Sequence, residues 1–142
     1  MATPMTDDER RAFLMHGTRT AKLATSGADG QPHVTPIWFV LDGDDLIFTT
    51  HSTSVKGRSI VRDGRVAIVV DDDQPPFSFV MIQGVAVYTD DVDDLIRWAT
   101  AIGGRYMGAD RAAEFGARNG VAGELLLRVK ATKTIALRGV SD

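Results

Sequence analysis

The sequence predicts a mainly β, α+β protein in which six antiparallel strands form a barrel or a sheet, with short helices packed beside it. Three observations support this fold class. Apolar and polar residues alternate with a period of two along several segments. The early segments are joined by short turns, and helical periodicity is concentrated later in the chain. This order is typical of antiparallel sheets and argues against a doubly wound parallel sheet.

Length and composition predict one domain, residues 1–142. The chain is long enough to bury a core without cross-links, and its 44% hydrophobic and 25% charged residues are ordinary values. It has no cysteine, which excludes disulfides and thiolate metal sites, and its three histidines do not have the spacing of a metal site. The net charge of −3 argues against nucleic-acid binding.

No stretch approaches about 18 consecutive apolar residues, and the polar N-terminus has no apolar signal segment. We therefore expect a cytoplasmic protein that does not bind a membrane.

The N-terminal region predicts a short helix followed by a strand. Thr6 and Glu9 have the spacing of a capping box, so a helix is expected to begin there and to end near Gly17. Alternation over Arg19–Thr25 predicts the first strand, and the sequence SGADG after it predicts a turn.

The next strand candidate, Gln31–Leu41, contains Pro32 and Pro36. Proline has no N–H to donate, so this strand must lie at an edge of the sheet or have an interrupted hydrogen-bond ladder. An interrupted ladder leaves backbone groups free for a ligand.

Four further segments have the composition of strands: Leu46–Thr50, Val66–Val70, Phe79–Thr89 and Glu124–Leu137. The continuous β-branched run Val66–Val70 predicts burial on both faces. Gly84, in the middle of a long strand, predicts a bulge. A second helix is expected after Asp90, broken at Gly103-Gly104, and a weaker third helix over Ala109–Arg118.

The segment around residues 50–63 predicts an anion-binding site. A hydroxyl-rich turn supplies N-cap oxygens to a short helix that carries Lys56, Arg58 and Arg62. The first N–H groups of a helix are unpaired and its dipole favours anions there. Lys56 and Ser59 share one helix face, so both can contact one ligand. The alternative is an ordinary surface helix with solvated cations.

Other residues are weaker candidates. His33 and Thr35 lie on one strand face and form a possible polar pocket wall, although a single strand histidine is more often a surface residue. Trp38 is either a core residue or a ligand contact beside Pro36. The sequence has no phosphate-binding glycine loop and no spacing typical of a hydrolytic triad, so we assign no catalytic residue.

Three segments, LATSGADGQPHVTPIWFVLDGDDLIFTT, SVKGRSIVRDGRVAIVV and FVMIQGVAV, together resemble the flavin- and deazaflavin-binding split β-barrel family related to pyridoxamine 5′-phosphate oxidase. The resemblance runs from about Thr20 to Tyr88. Its most specific parts are A-T-x-x-x-D-G-x-P-H-x-x-P-x-W-F and the S-x-K-x-R element. It implies a homodimer of six-stranded split barrels with cofactor sites at the subunit interface.

The resemblance also implies which residues bind the cofactor. The ring would lie along the strand Gln31–Leu41, and the phosphate would lie at the turn and helix that follow the next strand. The implied cofactor-binding residues are His33, Thr35, Pro36, Ile37, Trp38, Thr49, Thr50, Ser54, Val55, Lys56, Arg58 and Ser59.

The short K-x-R type of sequence is similar to the branch that uses coenzyme F-420, a deazaflavin of actinobacteria and some archaea. The FMN oxidase branch usually has an additional Arg and Gln where this sequence has His33 or Thr35 and Ser59. The resemblance therefore implies an F-420H2-dependent reductase that transfers a hydride to a planar conjugated acceptor such as a tetrapyrrole, quinone or enone. The alternatives are an FMN-dependent oxidoreductase and a non-enzymatic F-420 carrier.

Overall fold

The computed structural model describes residues 1–142 and contains eight strands and four α-helices. The strands are β1 (Thr3–Pro4), β2 (Ala21–Ser26), β3 (Pro32–Ile37), β4 (Val40–Asp42), β5 (Asp45–His51), β6 (Arg65–Asp71), β7 (Phe79–Thr89) and β8 (Glu124–Arg138). The helices are α1 (Asp7–Met15), α2 (Val55–Arg62), α3 (Val92–Met107) and α4 (Ala112–Asn119), with a 3-10 turn at Ala109–Arg111. None of the helices has the length and apolar character needed to span a membrane.

The predicted number of six strands is wrong, although the α+β class is confirmed. The additional strand β1 has only two residues, which pair with Arg138 and Leu137 of β8, and is too short to show alternation. The single strand predicted over Gln31–Leu41 is divided into β3 and β4, because its ladder stops at Trp38 and Phe39. Pro32 and Pro36 both lie within β3, which is at the end of the strand order, so the edge position predicted from the prolines is present and the break lies after them.

All pairings in the sheet are antiparallel, and the sheet closes on itself through one chain segment. The strands follow the order β3-β2-β6-β7-β8-β5-β4, with β1 beside β8. The strands at the two ends of this path, β3 and β4, are consecutive in the sequence and separated only by Trp38 and Phe39. The sheet must therefore curl until its two edges meet at these two residues.

Helix α3 satisfies the backbone groups at this break. The Phe39 N–H donates to the Tyr106 hydroxyl at 3.2 Å, and that hydroxyl donates to the Arg19 carbonyl at 2.7 Å. The Arg105 guanidinium donates to the carbonyl oxygens of Phe39 and Leu14 at 2.7 and 2.8 Å. Burial lowers the pKa of Arg105 and raises the pKa of Tyr106. One turn of α3 thus joins the two edges of the sheet.

The core has two parts. The larger cluster fills the space enclosed by the sheet and includes the fully buried Leu23, Phe39 and Phe48. The smaller cluster lies between α3 and strands β4, β5 and β8, and consists of Val40, Ile47, Leu95, Ile102 and Leu126. This second cluster holds α3 against the sheet through apolar contacts.

Strand β6 is buried on one face only, which corrects the prediction for Val66–Val70. Val66, Ile68 and Val70 are buried, whereas Ala67 and Val69 are half-buried. The outer face of β6 is therefore only partly covered, unlike that of β5 and β8, on which α3 packs. The irregularity predicted at Gly84 is present, because the β7–β8 register shifts between Gln83 and Gly84, but the extra residue is Thr132 of β8.

Helix α3 runs through Gly103 and Gly104, so the predicted break there is wrong. A Cβ at Gly103 would lie 2.5 Å from the Cβ of Phe115, which shows that this glycine allows α3 and α4 to pack closely. Gly116 and Gly120 of the second helical segment have the same function, because added Cβ atoms would overlap Thr100 and Ile96. The helix ends only at Gly108, whose φ of 98° favours glycine.

Neighbouring glycines of α3 provide a matched test of this packing. We expect Gly103→Ala to lower the free energy of unfolding by about 1–3 kcal/mol, because the added methyl group overpacks the contact with Phe115. Gly104→Ala should be neutral or stabilising by up to about 1 kcal/mol, since its Cβ would meet the Ala112 Cβ at 3.4 Å and alanine favours the helix. Urea unfolding measures both. Equal effects of the two substitutions would contradict the close packing of α3 on α4.

Candidate binding site for an anionic cofactor

A cavity of about 300 Å³ lies where the end of β3 meets β5, α2 and the α3–α4 pair. Its lining residues are Pro36, Ile37, Trp38, Thr49, Thr50, Lys56, Ile102, Phe115, Arg118 and Asn119. The cavity is therefore adjacent to the break in the sheet, where β3 has finished its ladder and β4 has not begun.

Hydroxyl groups fix the turn that enters α2. The Ser54 hydroxyl donates to the His51 carbonyl at 2.8 Å and accepts the Gly57 N–H at 3.0 Å. Because the Ser54 hydroxyl proton is used in this way, the Ser54 oxygen accepts a hydrogen bond from the Thr50 hydroxyl, 2.9 Å away. Ser54 is the N-cap residue of α2. The hydroxyl-rich turn predicted from the sequence thus holds the helix start next to the cavity.

The first two N–H groups of α2 are free to donate hydrogen bonds to a ligand. Gly57 donates to the Ser54 hydroxyl and Arg58 donates to the Ser54 carbonyl, but the N–H groups of Val55 and Lys56 have no acceptor in the protein. Such groups at a helix N-terminus attract anions, and the helix dipole adds to the attraction. The side chain of Lys56 brings a full positive charge to the same place.

Gly57 is a positioning residue that the sequence analysis missed. A Cβ there would lie 2.5 Å from the His51 carbonyl oxygen, so only glycine lets the first turn of α2 approach the end of β5 this closely. Glycine inside a short helix lowers the stability of the helix, and its presence at position 57 was the sequence signal for a close backbone approach.

The charges around the cavity are all positive. Lys56 and Arg118 line it, and no Asp or Glu side chain does. None of the ion pairs in the structure includes Lys56, Arg58 or Arg118. The cavity beneath α1 is different, because its Arg10, Arg11 and Lys130 are accompanied by Asp7, Asp44 and Asp45. The smaller cavity therefore has unbalanced positive charge.

An aromatic wall borders the cavity. Trp38 is 39% exposed and stacks on Tyr106, with ring centroids 5.0 Å apart and an interplanar angle of 5°. Phe115 packs against Trp38 at 5.8 Å in a tilted arrangement. Trp38 is therefore held in place on one side and accessible on the other, which suits contact with a planar ligand.

The structure brings together half of the residues that the resemblance implied. Pro36, Ile37, Trp38, Thr49, Thr50 and Lys56 all line the cavity. Ser54 and Val55 lie at the adjoining start of α2. His33, Thr35, Arg58 and Ser59 are not among the lining residues. Arg58 is exposed and Ser59 is buried.

His33 and Thr35 lie on the inward face of β3 with unsatisfied polar atoms. The Nδ1 atom of His33 and the hydroxyls of Thr35 and Thr25 are buried without a protein partner. Thr25 is directly opposite His33 in the β2–β3 ladder. Because buried polar groups are normally hydrogen-bonded, these three atoms require ordered water or a ligand.

Sequence reasoning missed the wall formed by the late helices. Phe115, Arg118 and Asn119 share one face of α4 and meet Ile102 of α3 at the cavity. The only available signal was their helical spacing, since they form no recognisable motif. No group of His, Cys, Asp or Glu side chains is placed to hold a metal ion.

Comparison with known families identifies the chain. Residues 6–137 match the sequence model of the pyridoxamine 5′-phosphate oxidase family. The chain belongs to this family. The matched residues include β2 to β7, all but the last residue of β8, and both walls of the cavity. Strand β1 lies outside the match. A comparison with curated protein sequences gave no match.

Solved structures of similar fold support membership of the pyridoxamine 5′-phosphate oxidase family. A conserved hypothetical protein from Mycobacterium tuberculosis has a TM-score of 0.84 and 28% identity, covering 96% of this chain and 87% of the other. An F-420 reductase has a TM-score of 0.67 and 26% identity, covering 87% of this chain and 94% of the other. A heme storage protein from Vibrio cholerae shares the fold, with a TM-score of 0.74 and 17% identity, covering 96% of this chain and 98% of the other.

Proposed function

We propose that this protein is an F-420H2-dependent reductase that delivers a hydride to a planar conjugated acceptor such as a tetrapyrrole, quinone or enone. The observation that carries the proposal is the carboxylate-free cavity, in which Lys56 and the start of α2 adjoin the end of β3. An anionic tail and a flat ring are the two parts of a phosphorylated flavin or deazaflavin. Similarity to an F-420 reductase at 26% identity supports the deazaflavin.

The residues present fit such a cofactor. Lys56, the Thr49 hydroxyl and the free N–H groups at the start of α2 would hold the phosphoryl group through charge-assisted hydrogen bonds. Pro36 and Trp38 would contact the ring, because β3 ends between them and Trp38 lies outside the ladder. The cofactor would thus be fixed at both ends by rigid elements.

The reaction requires little chemistry from the protein itself. When bound, the reduced deazaflavin supplies the hydride. The contribution of the protein would be orientation of the acceptor and exclusion of water by the α3–α4 wall. No side chain is needed as a nucleophile. After hydride transfer the reduced acceptor takes up one proton, which would come from water.

FMN is the alternative cofactor, and the match of residues 6–137 to the pyridoxamine 5′-phosphate oxidase family is consistent with it. The same phosphoryl site would then serve FMN, and the protein would be an FMN-dependent oxidoreductase. A third possibility is a carrier that binds F-420 without turnover. Binding and turnover measurements separate these three functions.

The cofactor assignment is tested by calorimetric titration of the purified protein with F-420 and with FMN. We expect F-420 to bind with micromolar or tighter affinity and FMN to bind more weakly. Lys56→Gln should weaken F-420 binding by about tenfold or more, because a charged hydrogen-bond donor is lost. Lys130→Gln is the matched control, since Lys130 lies on a different cavity and should leave the affinity unchanged.

Two results would contradict this assignment. Tighter binding of FMN than of F-420 would move the protein to the FMN-dependent function. Unchanged F-420 affinity in Lys56→Gln would show that the anionic part of the cofactor does not bind at the start of α2. Tight F-420 binding without oxidation of F-420H2 by a panel of quinones, enones and tetrapyrroles would indicate the carrier.

The outer face of the sheet supports a homodimer. In register across five strands, Pro36, Lys22, Val69, Met81 and Ile135 form one outward row that is mostly apolar. An apolar row of this extent is favourable when a second subunit covers it. Because Pro36 also lines the cavity, the partner subunit would lie beside the cofactor.

Sedimentation velocity tests the homodimer. We expect the wild-type protein to sediment as two chains and Met81→Lys to sediment as one, because the substitution places a charge in the apolar row. Val92→Lys is the control, since Val92 is 42% exposed on α3, away from this row, and the variant should remain dimeric. A monomeric wild-type protein at micromolar concentration would contradict the proposal.

A further inference from the structure

We propose that Arg118 of α4 is a second cationic ligand for the phosphoryl group of the cofactor, on the opposite side of the cavity from Lys56. The inference rests on the proposed function, because it takes the anion to be a phosphoryl group of a flavin or deazaflavin. It adds a residue from the α3–α4 wall, which lies outside the segments that carry the family resemblance.

The cavity contains two cations and no carboxylate. Lys56 and Arg118 reach the same space of about 300 Å³ from different elements, and no carboxylate lines that space. Two like charges in one small cavity repel each other unless an anion lies between them. The tail of either cofactor is anionic and its phosphate oxygens accept several hydrogen bonds, so it can lie between the two cations and offset their repulsion.

The Arg118 side chain makes no ion pair or hydrogen bond within the protein, although its charge also helps to lower the pKa of Glu114. Glu114 is one turn earlier on α4 and would be the natural partner for an ion pair. Its carboxylate is instead bound by Arg111, with contacts of 3.0 Å, and this hydrogen bond is the main reason that the pKa of Glu114 is lowered. The donors of Arg118 therefore remain available to a ligand.

Arg118 is exposed, and one side of its guanidinium is against a fixed aromatic ring. Its guanidinium lies 5.4 Å from the centroid of the Phe115 ring, within cation–π range. Phe115 is buried between α3 and Trp38, and α4 itself is fixed by the glycine contacts of Gly116 and Gly120. An arginine held on a rigid helix loses less freedom on binding than a solvated one.

Asn119 supplies a further hydrogen-bond donor beside Arg118. Asn119 follows Arg118 and lines the same cavity. Its side-chain amide can donate to a phosphoryl oxygen or to a ring carbonyl. The two residues together give the α4 side of the cavity both charge and hydrogen-bonding capacity, matching the Lys56 side.

The test compares ligands that differ only in the phosphorylated tail. The probes are F-420 and its tail-free chromophore, FMN and riboflavin, and inorganic pyrophosphate, each titrated by calorimetry. We expect Arg118→Gln to weaken binding of pyrophosphate and of the phosphorylated cofactor by about tenfold, or about 1.4 kcal/mol. Affinity for the tail-free ligand should stay within about twofold, and Arg118→Lys should recover part of the loss.

The control variant is Arg97→Gln. Arg97 is an exposed arginine of α3 that also stacks on an aromatic ring, with its guanidinium 4.8 Å from the Trp98 centroid, and it makes no ion pair. It does not line the cavity, so its substitution should leave every affinity unchanged. Circular dichroism and thermal unfolding establish that both variants are folded.

The outcomes separate this inference from the proposed function. Wild-type affinity for pyrophosphate in Arg118→Gln would overturn the role of Arg118, as would an equal loss for phosphorylated and tail-free ligands. Wild-type protein that binds pyrophosphate through Arg118 but binds neither F-420 nor FMN would retain Arg118 as an anion ligand and overturn the cofactor assignment.

Discussion

The structure depends on how the break in the sheet at Trp38 and Phe39 is satisfied. Backbone groups that leave a ladder inside a protein must find other partners. Here the Phe39 N–H and carbonyl are bound by the Tyr106 hydroxyl and the Arg105 guanidinium. Arg105 also donates to the Gly17 carbonyl at 3.0 Å, so the turn after α1 is tied to the same point. Without α3 the two edges of the sheet would not be held together.

The binding site is a consequence of this closure. Because α3 is fixed at the break, α4 is placed over the end of β3, and the glycine contacts between the two helices set its distance. The cavity then lies between a wall with Arg118 and a floor with Lys56. Trp38 belongs to both features, since it forms part of the break and its exposed face borders the cavity. The element that closes the fold thus also positions the proposed ligand groups.

The sequence predicted the local features well and the long-range ones poorly. The α2 cap, the placement of the proline-containing strand at an edge and the register shift beside Gly84 are each decided by a few neighbouring residues, and the structure has all three. The division into β3 and β4 depends on Tyr106, which is distant in the sequence. The continuity of α3 through Gly103 depends on its contact with Phe115. Arg118 was missed for the same reason.

The most direct test that α3 closes the sheet is hydrogen exchange at the Phe39 amide in the wild-type protein and in Tyr106→Phe. If the Tyr106 hydroxyl closes the sheet, the substitution will accelerate exchange at Phe39 while amides in the middle of the β6–β7 pair keep their protection. Tyr88→Phe is the control, because Tyr88 is 51% exposed and remote from the break. Unchanged protection of the Phe39 amide in Tyr106→Phe would show that the sheet closes without α3.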